Sequence, residues 1–338
     1  MVIHDKFFKW ILLSRATVAL SSNMTPNIPI DLVNPTVFKE SEWIGANKEY
    51  CDVPTHVSDA ISDCLSVPQS YEGSFPSPDL PVTDFLALRL PRVSNSIVTT
   101  KLQLWFSNSE PTTNPDCLFT RAIPSPQFLK RLDGAFGQAW FDGAKSIVDP
   151  RFNESQDRLP LWTLGFWKRM VSLVQSQEKW AESLRWVRRE RNRPGLDQET
   201  QEALDDALAT FDTIGWDCKL GYLRGATSAI CLPDILGTAW LSDDHIDMMM
   251  EELTKNIATN ADMMDRVMVA PLAFANEIAK IGKAGTYDKK GGAVLLCRYE
   301  KHITEKKTEK LLFPVHINKN HWIAAFIDFH NGKIGYGK

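Results

Sequence analysis

An α+β fold is what this sequence predicts, with helices followed by an antiparallel-rich sheet in the last third of the chain. Three observations carry the prediction. Apolar residues recur at three- and four-residue spacing between about 159 and 190, and again from Asp244 to Ile257, which is the period of an amphipathic helix. After residue 290 they fall instead into short strand-like runs. Between the last two runs stands Asn331-Gly332, a strong two-residue hairpin signal.

Composition narrows the function classes. The chain has 338 residues, of which 43% are hydrophobic and 24% charged, with a net charge of −4. That length suggests about two domains, and the even charge balance argues against a nucleic-acid-wrapping protein or an acidic tail. No stretch of eighteen apolar residues is present to span a membrane. Arg15 interrupts the apolar run from Trp10 to Leu13, which is too short for a secretory signal, and the expected location is nucleus or cytoplasm. The six cysteines are scattered without a CxxC pair, as in reduced thiols rather than a disulfide framework or zinc cage.

Along the chain three regions follow: a Pro/Ser-rich leader over 1–100, a tryptophan-rich helical region over 101–225, and the α+β part over 226–338. Residues 21–100 hold nine of the nineteen prolines, so loops, short strands and partial disorder are expected there, the run from Phe85 to Leu90 included. The helix over about 159–190 takes Pro160 in its first turn and stops before Pro194-Gly195. A second helix runs from about Asp197 to Phe211. The indoles of Trp162, Trp167, Trp180 and Trp186 read as core before they read as a partner-binding face. Arg185, Arg188, Arg189, Arg191 and Arg193 fit cations at the negative end of a helix dipole; a nuclear-localisation or phosphate patch is the sharper alternative. Further on, Ser242 or Asp243 caps a helix to about Ile257, and a helix from Pro271 ends at Gly282. Strands are expected over 293–299, 311–317, 322–329 and 333–336.

Two patches carry the chemistry: Trp240-Leu-Ser-Asp-Asp-His-Ile-Asp247, and Phe313-Pro-Val-His-Ile-Asn-Lys-Asn-His-Trp-Ile-Ala-Ala-Phe-Ile-Asp-Phe329. In their order and separation they resemble the ubiquitin-like-protein-specific cysteine proteases, the SUMO and NEDD8 deconjugating family related to adenovirus proteases. The resemblance covers residues 240–337 and none of the first 220. It implies part of a papain-like cysteine protease domain that hydrolyses the bond after a diglycine tail. It also implies a ubiquitin-like modifier or its conjugates as partner, with no cofactor and no metal. Thiolate attack on such a carbonyl needs a base, a carboxylate to orient it and an oxyanion donor. By resemblance His321 is the catalytic histidine, and Trp240 and Trp322 are the indoles that clamp the diglycine. Asp243 is the acidic residue that meets the modifier's basic surface. Glycine alone lets a backbone pass between two aromatic walls.

The pattern also departs from the family. Its catalytic aspartate falls at position 338, which is Lys338, while Asp328 takes the structural strand-end position. No glutamine or nucleophilic cysteine follows, so the 338 residues read as the front half of a protease domain, inactive as given. A non-catalytic binding module or a truncated gene product are the alternatives. Cys297 lies upstream of His321, in the papain order, but inside an apolar strand-like run that reads as core. His321 alone could be a strand-end residue. His302, His316, His321 and His330 lack zinc-ligand spacing.

Overall fold

The structure, a computed structural model, describes residues 43–44, 53–96, 101–152, 157–220, 227–236, 240–284, 294–306, 308–317 and 321–337. They fall into two compact units, one reaching to Ala181 and the other starting at Glu182. The expected strand start at Ala293, the displaced aspartate position at Lys338 and the expected disorder of the first forty residues lie outside the described residues. Among the described residues no helix is long and apolar enough to cross a membrane.

In the first unit the prolines start helices instead of breaking them. Pro54 and Pro81 immediately precede α1 (Thr55–Asp63) and α2 (Val82–Ala87), and Pro68 precedes a single turn at Gln69–Glu72. The expectation of loops and short strands is corrected here, and Phe85 is buried on a helix. The physical reason is positional: the proline φ near −60° suits the residue before a helix, where the missing N–H costs nothing. Five short strands follow: β1 (Val93–Ser94), β2 (Phe106–Ser107), β3 (Ile123–Pro124), β4 (Ser146–Val148) and β5 (Arg158–Pro160). β1 pairs with β3 in parallel, and β2-β4-β5 form an antiparallel sheet. Helix α3 (Pro126–Phe141) begins with Ser125, whose hydroxyl accepts from the Phe128 N–H at 3.3 Å. It buries Phe128, Leu132 and Phe136 on one face.

Helix α4 runs from Thr163 to Arg191. Pro160 is therefore not in its first turn. It ends β5, an edge strand where a missing N–H is tolerated. Trp167 and Trp180 are buried, as the core reading expects. Gly165, in the first turn of α4, lies so close to the Leu65 carbonyl oxygen that a Cβ there would overlap it.

In the second unit the last turns of α4 bury Leu184 and Val187. Gly195, at φ +79°, turns the chain toward α5 (Gln198–Phe211), and the Asp197 carboxylate caps α5 by accepting from the Thr200 N–H at 2.8 Å. Then come α6 (Asp243–Thr259), β6 (Val267–Val269), α7 (Leu272–Ala284), α8 (Val294–Lys306), β7 (Lys310–Ile317), β8 (His321–Asp328) and β9 (Lys333–Tyr336). α7 begins after Pro271, as expected, and continues past Gly282 to Ala284.

The four strands form one mixed sheet in the order β6-β7-β8-β9, parallel at β6–β7 and antiparallel elsewhere. β6 is a strand that three residues do not announce in a sequence. Pro314 sits in β7 beyond Leu312, the last residue paired to β6, so it interrupts no ladder on that side. Alternation puts Leu311, Phe313 and Val315 of β7 on one face with Ile327, Ala325 and Ile323 of β8. On that face Leu311, Phe313 and Ala325 pack with Ala270 and Phe274, and with Leu296, Tyr299 and Ile303 of α8.

Two expectations need correcting here. Residues 294–306 are a helix, not a strand. Leu296, Tyr299 and Ile303 recur at helical spacing and cover the sheet, a role the contiguous apolar run hides. The β8–β9 turn has four residues, not two, because Asp328 pairs with Lys333. The Asp328 carboxylate accepts from both the backbone N–H and the side-chain amide of Asn331, each at 2.9 Å, and Gly332 closes the turn at φ +60°.

Two stability predictions follow from these contacts. Gly165→Ala will lower the urea midpoint, by roughly 1–3 kcal/mol of stability, although helix propensity alone favours alanine by about 1 kcal/mol. An unchanged or raised midpoint in equilibrium denaturation would contradict the close approach. The Asn331 hydrogen bonds hold the Asp328 carboxyl below its ordinary value. Its contribution is therefore present above the ordinary carboxylate pKa and is lost as pH falls through the lower folded value. Wild type should lose more stability than Asp328→Asn on acidification from pH 6 to 3, read as the difference in urea midpoints. Parallel curves would rule the linkage out.

Candidate active site

The site assembles where the start of α6 meets the end of the β7–β8 pair at which Ile317 faces His321. Ser242 is the N-cap residue of α6, and the ring of His245, three residues on, turns back toward it. Nδ1 of His245 faces the Ser242 N–H and its Oγ, both at 2.8 Å, while Nε2 lies 2.7 Å from the Cys231 carbonyl oxygen. A neutral ring with its proton on Nε2 satisfies both sides, accepting from Ser242 and donating to Cys231. His245 is 2% exposed, so this ring is a structural pin and not a catalytic group. The Ser-x-x-His spacing, a capping box with histidine in place of glutamate, is the signal that could have revealed it. Asp247 accepts from the Leu272 N–H at 3.1 Å and so ties the start of α7 to α6.

Trp240 and Trp322 stand 82 positions apart in the chain, and the fold brings their segments together. The indole N–H of Trp322 donates to the Leu241 carbonyl at 3.0 Å, fixing β8 against the residues that lead into α6. His316, the cross-strand partner of Trp322, stacks on its ring with centroids 4.1 Å apart and planes within 14°. Trp240, the residue before that Leu241 anchor, is 74% exposed. A large indole left that open offers a flat contact surface. Asp243 is exposed in the first turn of α6, where the helix dipole favours a carboxylate.

His321 opens β8, exposed, opposite Ile317. Its parity along the strand is that of Ile323 and Ala325, the helix-covered face, whereas Trp322 has the parity of the other face. The adjacent pair thus directs a titratable ring to one side of the sheet and an indole to the other. His316 escaped selection as a site residue, because a cross-strand stack has no signature in sequence spacing.

The remaining candidates are separated. Cys297 lies half-buried in the first turns of α8, and the strand environment assumed for it is absent. His302 is on α8, His316 and His321 are on neighbouring strands, and His330 is in the β8–β9 turn. The Cys231 thiol donates to the Ser228 carbonyl at 3.1 Å and touches Met248, and burial pushes it up to about 11, away from nucleophilic use at neutral pH.

Residues 239–336 match the model of the Ulp1 protease family, C-terminal catalytic domain. No curated protein and no solved structure matches the chain. The matched segment holds the whole β6-β7-β8-β9 sheet, the start of α6, and all of Trp240, Asp243, His321 and Trp322. Over residues 239–336 the chain is thus similar to the catalytic domain of the Ulp1 protease family, the cysteine proteases that act on ubiquitin-like proteins.

Proposed function

We propose that this segment is the histidine-bearing, substrate-gripping part of a protease site for proteins that end in diglycine, of the SUMO or NEDD8 type. The observation that carries the reading is the Trp322 N–H bond to the Leu241 carbonyl, which anchors one indole to the residue that follows the exposed Trp240. Two indoles so arranged suit an extended tail without side chains, because a Cβ on either residue would meet a ring. His321 begins the strand that carries Trp322 and supplies the acid–base group, taking a proton from a thiol and returning it to the leaving amine. Asp243, exposed at the start of α6, faces outward to a basic patch on the modifier.

For the 338-residue polypeptide itself we infer recognition without hydrolysis. The last of the six cysteines is Cys297, and it sits half-buried on a helix that covers the sheet. This favours the binding-module reading for these residues.

Titration with a labelled ubiquitin-like protein that carries its diglycine should give saturable binding, and removing the two glycines should abolish it. Trp240→Ala should weaken the interaction roughly tenfold, about 1.4 kcal/mol. Equal affinity with and without the tail would sink the clamp. The same polypeptide should leave a fluorogenic diglycine-tailed substrate uncleaved. Turnover that an alkylating agent abolishes would overturn this second reading, and Cys297→Ala would then test whether that thiol is responsible.

A further inference from the structure

One peptide unit at the head of α6 is held from both sides, and the protease reading uses only one of them. The Leu241 carbonyl accepts the Trp322 indole N–H at 3.0 Å, and the Ser242 N–H of the same peptide bond donates to Nδ1 of His245 at 2.8 Å. That peptide is planar and trans, so its C=O and N–H leave on opposite sides and a different side chain fixes each. Each of the two bonds polarises the shared amide and strengthens the other.

The series continues beyond the ring. Nε2 of His245 donates to the Cys231 carbonyl oxygen at 2.7 Å, which leaves Nδ1 as the acceptor that the Ser242 N–H requires. Cys231 belongs to a turn that is itself fixed. Ala229 is fully buried and its N–H donates to the Cys218 carbonyl at 2.8 Å. The Ser228 hydroxyl donates to Asp217 at 2.6 Å, and the Pro233 carbonyl accepts from the buried Ser183 hydroxyl of α4 at 3.1 Å. An unbroken run of hydrogen bonds therefore leads from this turn through His245 and the Leu241–Ser242 peptide to Trp322, on which His316 stacks. The glutamate or glutamine of an ordinary capping box serves the helix start alone. His245, 2% exposed and engaged at both ring nitrogens, joins the helix start to a second segment.

From this geometry we infer that His245 is a positioning residue for the Trp322 indole and, resting on the function proposed above, for the grip on a diglycine tail. The ring does not touch substrate. It sets the direction of the Leu241 carbonyl, and that carbonyl sets where the polar edge of the indole lies. Without the ring the amide plane can rotate about its flanking bonds, and a rotated carbonyl no longer meets the indole N–H. Trp240 lies one residue upstream of the held peptide, so the backbone that carries the exposed indole starts from the same fixed point.

The test uses the isotope-labelled full chain, in which the Trp322 indole N–H is the resonance, among those of eleven tryptophans, that Trp322→Phe removes. In wild type this proton should lie downfield and exchange slowly, and the His245 ring should carry its proton on Nε2. His245→Gln keeps an acceptor for Ser242 and a donor for Cys231. Its indole resonance should stay in place, and its affinity for a diglycine-tailed ubiquitin-like protein should hold within about twofold. His245→Leu fills the buried site without either bond. In its folded molecules the resonance should move upfield and exchange faster, and affinity should fall roughly tenfold. A role in stability alone would lower the urea midpoint of His245→Leu and leave the folded-state resonance where it was, which would overturn the inference. Equal displacement in His245→Gln would overturn it too. So would a wild-type ring with its proton on Nδ1, a readout that stands even if His245→Leu does not fold. Failure of the wild type to bind the diglycine tail would overturn the grip and leave the positioning of Trp322, which the indole resonance reads by itself.

Discussion

The eight-residue pairing of β7 with β8, from Lys310 opposite Asp328 to Ile317 opposite His321, is the constraint on which the candidate active site depends. Because side chains alternate along a strand, this register decides at once which residues meet the helices and which meet the rest of the site. It puts Phe313 and Ala325 together in the core under Phe274 and Tyr299. On the other face it sets His316 against Trp322. A slip by one residue would exchange the faces, burying the indole and exposing the core. The site is therefore specified by the same ladder that stabilises the sheet.

The second constraint is the tie between that ladder and α6. The start of α6 is satisfied by its own residues, through His245 and Ser242, and by Cys231 from an earlier turn. Asp247, near the start of α6, holds the head of α7, and Arg266, between α6 and β6, makes a paired bond to Glu309 just before β7. Against this frame the Trp322–Leu241 bond has little freedom, and Trp240 is left as the exposed member of the pair. The arrangement is rigid where it positions and open where a substrate would approach, as binding sites require.

The first unit follows a different logic. Its core is dense in aromatic rings, with Trp105 against Phe128 and Trp167, yet among the described residues it leaves donors of Trp105 and Arg151 without acceptors. Hydrophobic burial of this extent tolerates a polar deficit of that size without loss of the fold.

Much of this was legible beforehand, and the misses share a cause. The helix over 198–211 with its Asp197 cap, the α6 helix behind Ser242, and the strands of β7, β8 and β9 follow from local period and capping chemistry, which need no distant partner. The Trp-Leu and His-Trp patches likewise made the resemblance of residues 239–336 legible, because motif spacing survives in the linear chain. The run from Ala293 to Tyr299 did not declare itself, since a contiguous apolar segment suits a buried strand or a buried helix equally, and the sheet needed a cover. The prolines of residues 54–81 misled because the same ring ends one helix and starts another, according to position alone. The Asn331-Gly332 turn grew to four residues because Asp328 found better partners in Asn331 than a tight turn allows. Local chemistry thus determined most of the elements. Tertiary contacts decided which faces meet, that His316 braces Trp322, and that Leu241 anchors it, because those choices lie in the pairing of strands and segments far apart in sequence.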